Sequence, residues 1–142
     1  MDINQAFAYA YIAYASDKKA AYILNTLASL HIDNNRMDSA IFYARKAIES
    51  APLWRYPYVN MAYAYKSLNK IDSALKYFHL AIQLDPTNAD AYVDLGHYYY
   101  SLSRADSAIA IMKKLYNLSR TMSMQAIISV GCIMIEKNWT KR

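Results

Sequence analysis

Large and small apolar positions return along this chain in a fixed order, once every 34 residues. In residues 21–54, 55–88 and 89–122 a large side chain (Leu24, Tyr58, Tyr92) is followed three positions later by another (Leu27, Met61, Leu95). A small residue comes next (Ala28, Ala62, Gly96), and a ring three positions beyond it (His31, Tyr65, Tyr99). Steps of three, one and three put all four on one face of an α-helix, and the small member lets a neighbouring helix approach closely.

A short polar break follows in each stretch: Asn34-Asn35, Leu68-Asn69-Lys70 and Leu102-Ser103-Arg104. Asp-Ser-Ala comes next, beginning at Asp38, Asp72 and Asp106. These aspartates fall at the start of a second helix, where the positive end of the helix dipole favours an anion. That helix carries Ala40, Ala74 and Ala108, then Ala44, Phe78 and Met112, then Ala47, Ala81 and Leu115. Pro52 and Pro86 close the first two stretches, as expected just past a helix end, whereas Arg120 holds that place in the third. The pattern predicts an all-α array of helix pairs. Stacked repeats present an extended surface rather than an enclosed pocket, which argues against an enzyme.

The register runs on at both ends. Ile3, Ala6, Ala10 and Ala13 stand 34 residues before Met37, Ala40, Ala44 and Ala47, so residues 3–16 read as the second helix of a unit. Residues 123–137 read as the first helix of another. The expectation is one array over 1–142, with half units at 3–16 and 123–142 and full units at 21–54, 55–88 and 89–122, cut from a longer protein. The stretch Ala126–Ile135 is apolar nearly all round, whereas array ends usually carry a polar outer face. It calls for a cover: more chain, a second copy or a partner.

Composition agrees and narrows the chemistry. Two glycines and three prolines leave few turn-makers for a β fold. The one cysteine, Cys132, excludes an internal disulfide framework and a cysteine-built zinc site. Residues 6–15 imitate a signal-peptide core, but Asp2 precedes them and no Lys or Arg does. No run reaches the ~18 apolar residues of a membrane span.

These residues resemble the tetratricopeptide repeat. In the second unit Tyr58, Met61, Ala62, Tyr65, Ala74, Phe78, Ala81 and Pro86 fill the family's eight signature columns. The third unit departs at Met112, Leu115 and Arg120, and the first places Leu24 and His31 in columns that are usually aromatic. The resemblance implies a right-handed α-solenoid of antiparallel helix pairs. It also implies protein–protein recognition in a concave groove lined by the first helix of each unit. By register the groove would present Tyr22 and Asn25, then Tyr56, Asn60 and Tyr63, then Asp90, Asp94, His97 and Tyr100. Tyrosine offers contact area with a hydrogen-bonding tip at low entropic cost, which suits a peptide ligand.

One subgroup of the family grips the C-terminal carboxylate of heat-shock chaperones with Lys and Asn side chains. The matching columns here hold Asn25, Ser29, Asn60, Asp90 and Asp94, so only Asn60 agrees and two aspartates stand where cations are needed. A partner carrying Lys or Arg fits better. Asp90, Asp94 and His97 share a helix face, but without ligands from a second helix they read as an acidic wall, not a metal site. The net charge of +5 raises nucleic acid as a partner, yet the basic residues fall mostly in turns and on second helices, away from the groove. No nucleophile–base set or Gly-rich phosphate loop stands out, so neither a catalytic residue nor a cofactor is expected.

The reading is therefore a scaffold or adaptor that holds a peptide or helix of a partner protein, with no nucleic acid and no membrane involved. Two alternatives stay open. The array is the regulatory part of a larger signalling protein or enzyme, or it self-associates as a homodimer through the last helix, with Ile127, Ile128 and Ile135 at the contact. A cytoplasmic location is the default expectation.

Overall fold

The structure, a computed structural model, describes residues 2–119. Those residues form seven α-helices and no strand: α1 (Ile3–Ser16), α2 (Ala21–Asp33), α3 (Met37–Ser50), α4 (Tyr56–Ser67), α5 (Ile71–Leu84), α6 (Ala89–Ser101) and α7 (Ala105–Ser119). The chain divides into two compact units, Met1–Asp85 and Pro86–Arg142. The expected contact at Ile127, Ile128 and Ile135 lies outside the described residues.

In the first unit α2 packs on α3, α3 on α4, α4 on α5 and α1 on α2. The alanine columns make this close packing possible. Ala28, Ala40, Ala47, Ala62, Ala74 and Ala81 are all fully buried, each leaving space for a larger neighbour such as Leu27, Met61 or Phe78. In the second unit α6 pairs with α7. There the small column is Gly96, and a Cβ on it would collide with the Met112 methyl group. Close approach, not backbone freedom, is what distinguishes this position: a larger residue here requires the flexible end of Met112 to move aside.

One turn device recurs within the pairs. Asn35, Asn69 and Ser103 adopt left-handed backbone, at φ 55°, 56° and 58°. Each lets the next residue, Arg36, Lys70 or Arg104, donate its N–H to a carbonyl five residues back, at 2.8, 2.9 and 3.0 Å. Carbonyls left open at the helix end are satisfied in this way. The residues before the second helices, Arg36 and Lys70, make no side-chain cap. Asp38, Asp72 and Asp106 lie inside the first turn and act through the dipole.

A second device closes the turn between pairs. The Tyr58 hydroxyl donates to the Pro52 carbonyl at 2.7 Å, and that of Tyr92 to the Pro86 carbonyl at 3.0 Å. The proline ends one second helix, and the tyrosine of the following first helix ties the exit down.

Candidate functional site

The first helices carry the candidate residues, and each unit holds its own set. In the first unit α2 supplies Tyr22 and Asn25, and α4 supplies Tyr56, Asn60 and Tyr63. Tyr22 is 66 % exposed and Tyr56 is 47 % exposed. Asn25 and Asn60 meet: the Asn60 Nδ2 donates to the Asn25 Oδ1 at 2.9 Å and to the Asn25 carbonyl at 3.2 Å. That side chain ties α4 to α2 and presents the pair as one polar feature.

Tyr63 is half-buried, with its ring edge-on to Phe78 at 5.6 Å. Its contribution is therefore divided between the core of its own pair and the surface, where the Lys66 ammonium lies over the ring at 5.6 Å.

Tyr56 belongs to a cluster that sequence columns do not reveal. The Arg55 guanidinium lies 4.1 Å from the centre of the Tyr56 ring and donates to its hydroxyl at 2.9 Å. It also pairs with Asp85 at 3.1 Å. Trp54 meets Tyr56 with ring centres 5.6 Å apart. Together with Leu53, which is 83 % exposed, and Leu84, these residues line a shallow cleft. The only sequence signal was two aromatic residues flanking an arginine in a turn, a pattern common in loops.

In the second unit all four candidates lie on α6. Asp90 stands in the first turn, where the dipole favours it, and is exposed; Asp94, one turn on, is half-buried. His97 is exposed, and Tyr100 is 48 % exposed. Asn88 caps the helix, accepting the Ala91 N–H at 3.0 Å. Among the described residues no three potential ligands gather as a metal site, and no helix is long and apolar enough to cross a membrane.

His31 stands apart from these surfaces. It is buried, its Nε2 is 3.0 Å from the Tyr11 hydroxyl, and its ring stacks on Tyr43. Burial, helped by Arg36, lowers its pKa below 6.5. It is a packed core residue that joins α1 to α2 and α3.

Models of the tetratricopeptide repeat match residues 21–52, 56–88 and 89–122, well over half of the sequence. The chain belongs to the tetratricopeptide repeat family. Tetratricopeptide arrays are protein-interaction scaffolds, typically without catalytic activity, and this chain is an all-α solenoid of that kind. No curated protein matches it.

Solved structures agree on the fold. A thermophilic tetratricopeptide protein from Thermus thermophilus is 18% identical with a TM-score of 0.79, the match covering 95% of this chain and 74% of that one. MamA (residues 41 to the end) from Desulfovibrio magneticus is 15% identical with a TM-score of 0.76, covering 87% and 70%. A chain of the APC/C hetero-tetramer Cut9–Hcn1 is 18% identical with a TM-score of 0.77, the match covering 91% of this chain but 26% of that one.

Proposed function

We propose that the first-helix surfaces bind a peptide or helix of a partner protein, and that the partner presents Lys or Arg to α6. The observation that carries this reading is the placement of Tyr22, Tyr56 and Tyr100 on first helices with about half or more of each residue exposed. Tyrosines so placed serve no core, and they are the residue type that concentrates binding energy at interfaces.

The charge on α6 supports the sign of the partner. Asp90 and Asp94 are four residues apart on one helix. Like charges at that spacing cost an isolated helix about 0.2–0.5 kcal/mol, a repulsion that a bound cation relieves. Asn25 and Asn60, already locked together, offer backbone-like donors and acceptors without further ordering cost. No nucleic acid, metal or cofactor enters this reading, and the compartment is taken as the cytoplasm.

A displayed peptide library sorted on the 142-residue chain tests it. The expected result is enrichment of Lys- and Arg-bearing peptides, lost with Tyr22→Ala/Tyr56→Ala and redirected toward acidic peptides by Asp90→Lys/Asp94→Lys. Enrichment that is the same for the parent and both folded variants would place recognition on another surface.

A further inference from the structure

The turn that leads into α4 differs in chemistry from the equivalent turns of the other repeats. Leu53, Trp54 and Arg55 stand where the 34-residue register puts Lys19, Ala20 and Ala21 one repeat earlier, and Thr87, Asn88 and Ala89 one repeat later. Each of these stretches does the same work, taking the chain out of one helix pair and into the next first helix. Small and polar residues suffice for that work twice. The repeat itself therefore does not call for leucine and tryptophan at the third place.

These three side chains, with Tyr56, Leu84 and Asp85, line a cleft of about 390 Å³. Ligand pockets run from roughly 300 to 1,000 Å³, so this one suits a side chain or two rather than a whole cofactor. Leu53 offers most of its surface to solvent, and Trp54 and Leu84 are half-buried. Apolar groups gathered in one place rather than scattered mark a contact surface. The rings are also held in position. Asp85 fixes the Arg55 guanidinium, which lies on the Tyr56 ring and bonds its hydroxyl, and Trp54 meets that ring in turn. Side chains ordered before binding cost little further entropy when a ligand arrives.

The charge in the cleft is one-sided. In the Arg55–Asp85 ion pair the arginine side chain is 14 % exposed and the aspartate 36 %. The guanidinium is the covered partner, and the carboxylate is the one that meets solvent. An approaching cation reaches its complement, whereas an anion meets the carboxylate first.

We propose that this cleft takes the apolar anchor of the partner peptide, a leucine-sized side chain, with a Lys or Arg two residues away set against Asp85. Alternate side chains of an extended peptide share a face, which sets the spacing at two. The inference rests on the reading that first-helix surfaces hold a peptide, and Tyr56 belongs to both. It adds which side chain enters, and where, in the first unit.

The probe is an acetylated and amidated nonapeptide of glycine and serine with Lys-Ser-Leu-Ser-Lys at its centre. Either chain direction then sets a lysine two residues from the leucine. Trp54 is one of two tryptophans, the other being Trp139, so in Trp139→Phe the emission reports the cleft alone. The expected result is a saturable change in Trp54 emission with half-saturation below about 1 mM. Alanine in place of the peptide leucine, or glutamate in place of its lysines, should weaken binding at least about fivefold. Leu53→Ala, which touches no core, should weaken the Leu–Lys peptide by a similar factor. Asp85→Asn should erase most of the preference for lysine over glutamate and keep that for leucine over alanine.

No change in Trp54 emission up to about 5 mM peptide overturns the proposal. So does a Leu53→Ala chain of parental helicity that binds as the parent does. Equal or tighter binding of the glutamate peptide overturns it too, since Arg55 would then govern the cleft. Emission that shifts with protein concentration alone means that a second copy fills the cleft, and counts equally against a partner peptide. The unaltered chain repeats every arm should Trp139→Phe fail to fold. Library enrichment that still depends on Tyr22, Asp90 and Asp94 while this probe fails sinks the cleft alone. Loss of that enrichment while Trp54 still responds through Leu53 sinks the α6 part of the reading alone.

Discussion

The first two complete helix pairs close on the same contact with different chemistry. In α2–α3 the ring of His31 stacks on Tyr43, with centres 5.3 Å apart and planes 6° from parallel; in α4–α5 Tyr65 stacks on Tyr77 at 5.5 Å and 16°. The repeat register sets where the two rings stand, and the residue sets the pH range over which the contact can stay uncharged. Burial pushes Tyr77 up from 10.0, with Tyr65 adding to the rise and Arg45 opposing it. It pushes His31 down from 6.5. Burial raises Tyr43 as well, so both pairs are sensitive to alkali and only the first, through His31, is sensitive to acid.

The largest expected effect breaks the second pair alone. Phe78 is 1 % exposed and fills the column that Ala44 holds in the first pair. Phe78→Ala should cost about 3–5 kcal/mol, because the fully packed site cannot collapse around the lost ring. Urea denaturation of parent and variant measures it. A cost under about 1 kcal/mol would mean that Tyr63 and its neighbours refill the space.

A smaller effect separates the pairs by pH. His31 faces Phe7 and Tyr11 from α1 and Tyr43 from α3, and the positive charge of Arg36 acts on it. Its Nδ1 has no hydrogen-bond partner among the described residues, so a second proton has nowhere favourable to point. The folded pKa lies below that of the unfolded chain, so unfolded molecules take up the proton first as pH falls. The stability held at this site is whole above 6.5 and is lost as pH falls from there toward the folded value. His31→Tyr gives the first pair the residue of the second. Melting temperatures of parent and variant, followed from about pH 7 to about pH 5, should diverge, with the parent falling faster. Parallel curves would locate the acid sensitivity elsewhere.

The helices were legible in the sequence because packing one helix on another imposes a period, and a period survives any single odd residue. Asp38, Asp72 and Asp106 announced the second helices by their place in the first turn, where the dipole favours an anion. Contacts that cross columns were not legible. Asn25 and Asn60 are 35 residues apart and so occupy different columns, yet they are the hydrogen-bonded link between α2 and α4. Tyr11 and His31, 20 apart, meet for the same reason. The register located Tyr63 on the first-helix surface but could not tell that its edge also packs on Phe78, because a helix rotates through about 100° per residue and a large ring spans two faces.

The smallest expected effect concerns the turns. All three repeats need a residue in the left-handed region, and two supply Asn while the third supplies Ser103. For most L-residues that conformation costs roughly 1–2 kcal/mol, and Asn is among the few that visit it readily. Ser103→Asn should therefore stabilise α6–α7 by about 0.5–1 kcal/mol, and Asn69→Ser should destabilise α4–α5 by a similar amount. Thermal unfolding of the two variants gives opposite shifts if left-handed backbone is the shared requirement. Shifts of the same sign would mean instead that each turn answers to its own side-chain contacts, and that the third repeat holds serine for a reason unconnected with its backbone.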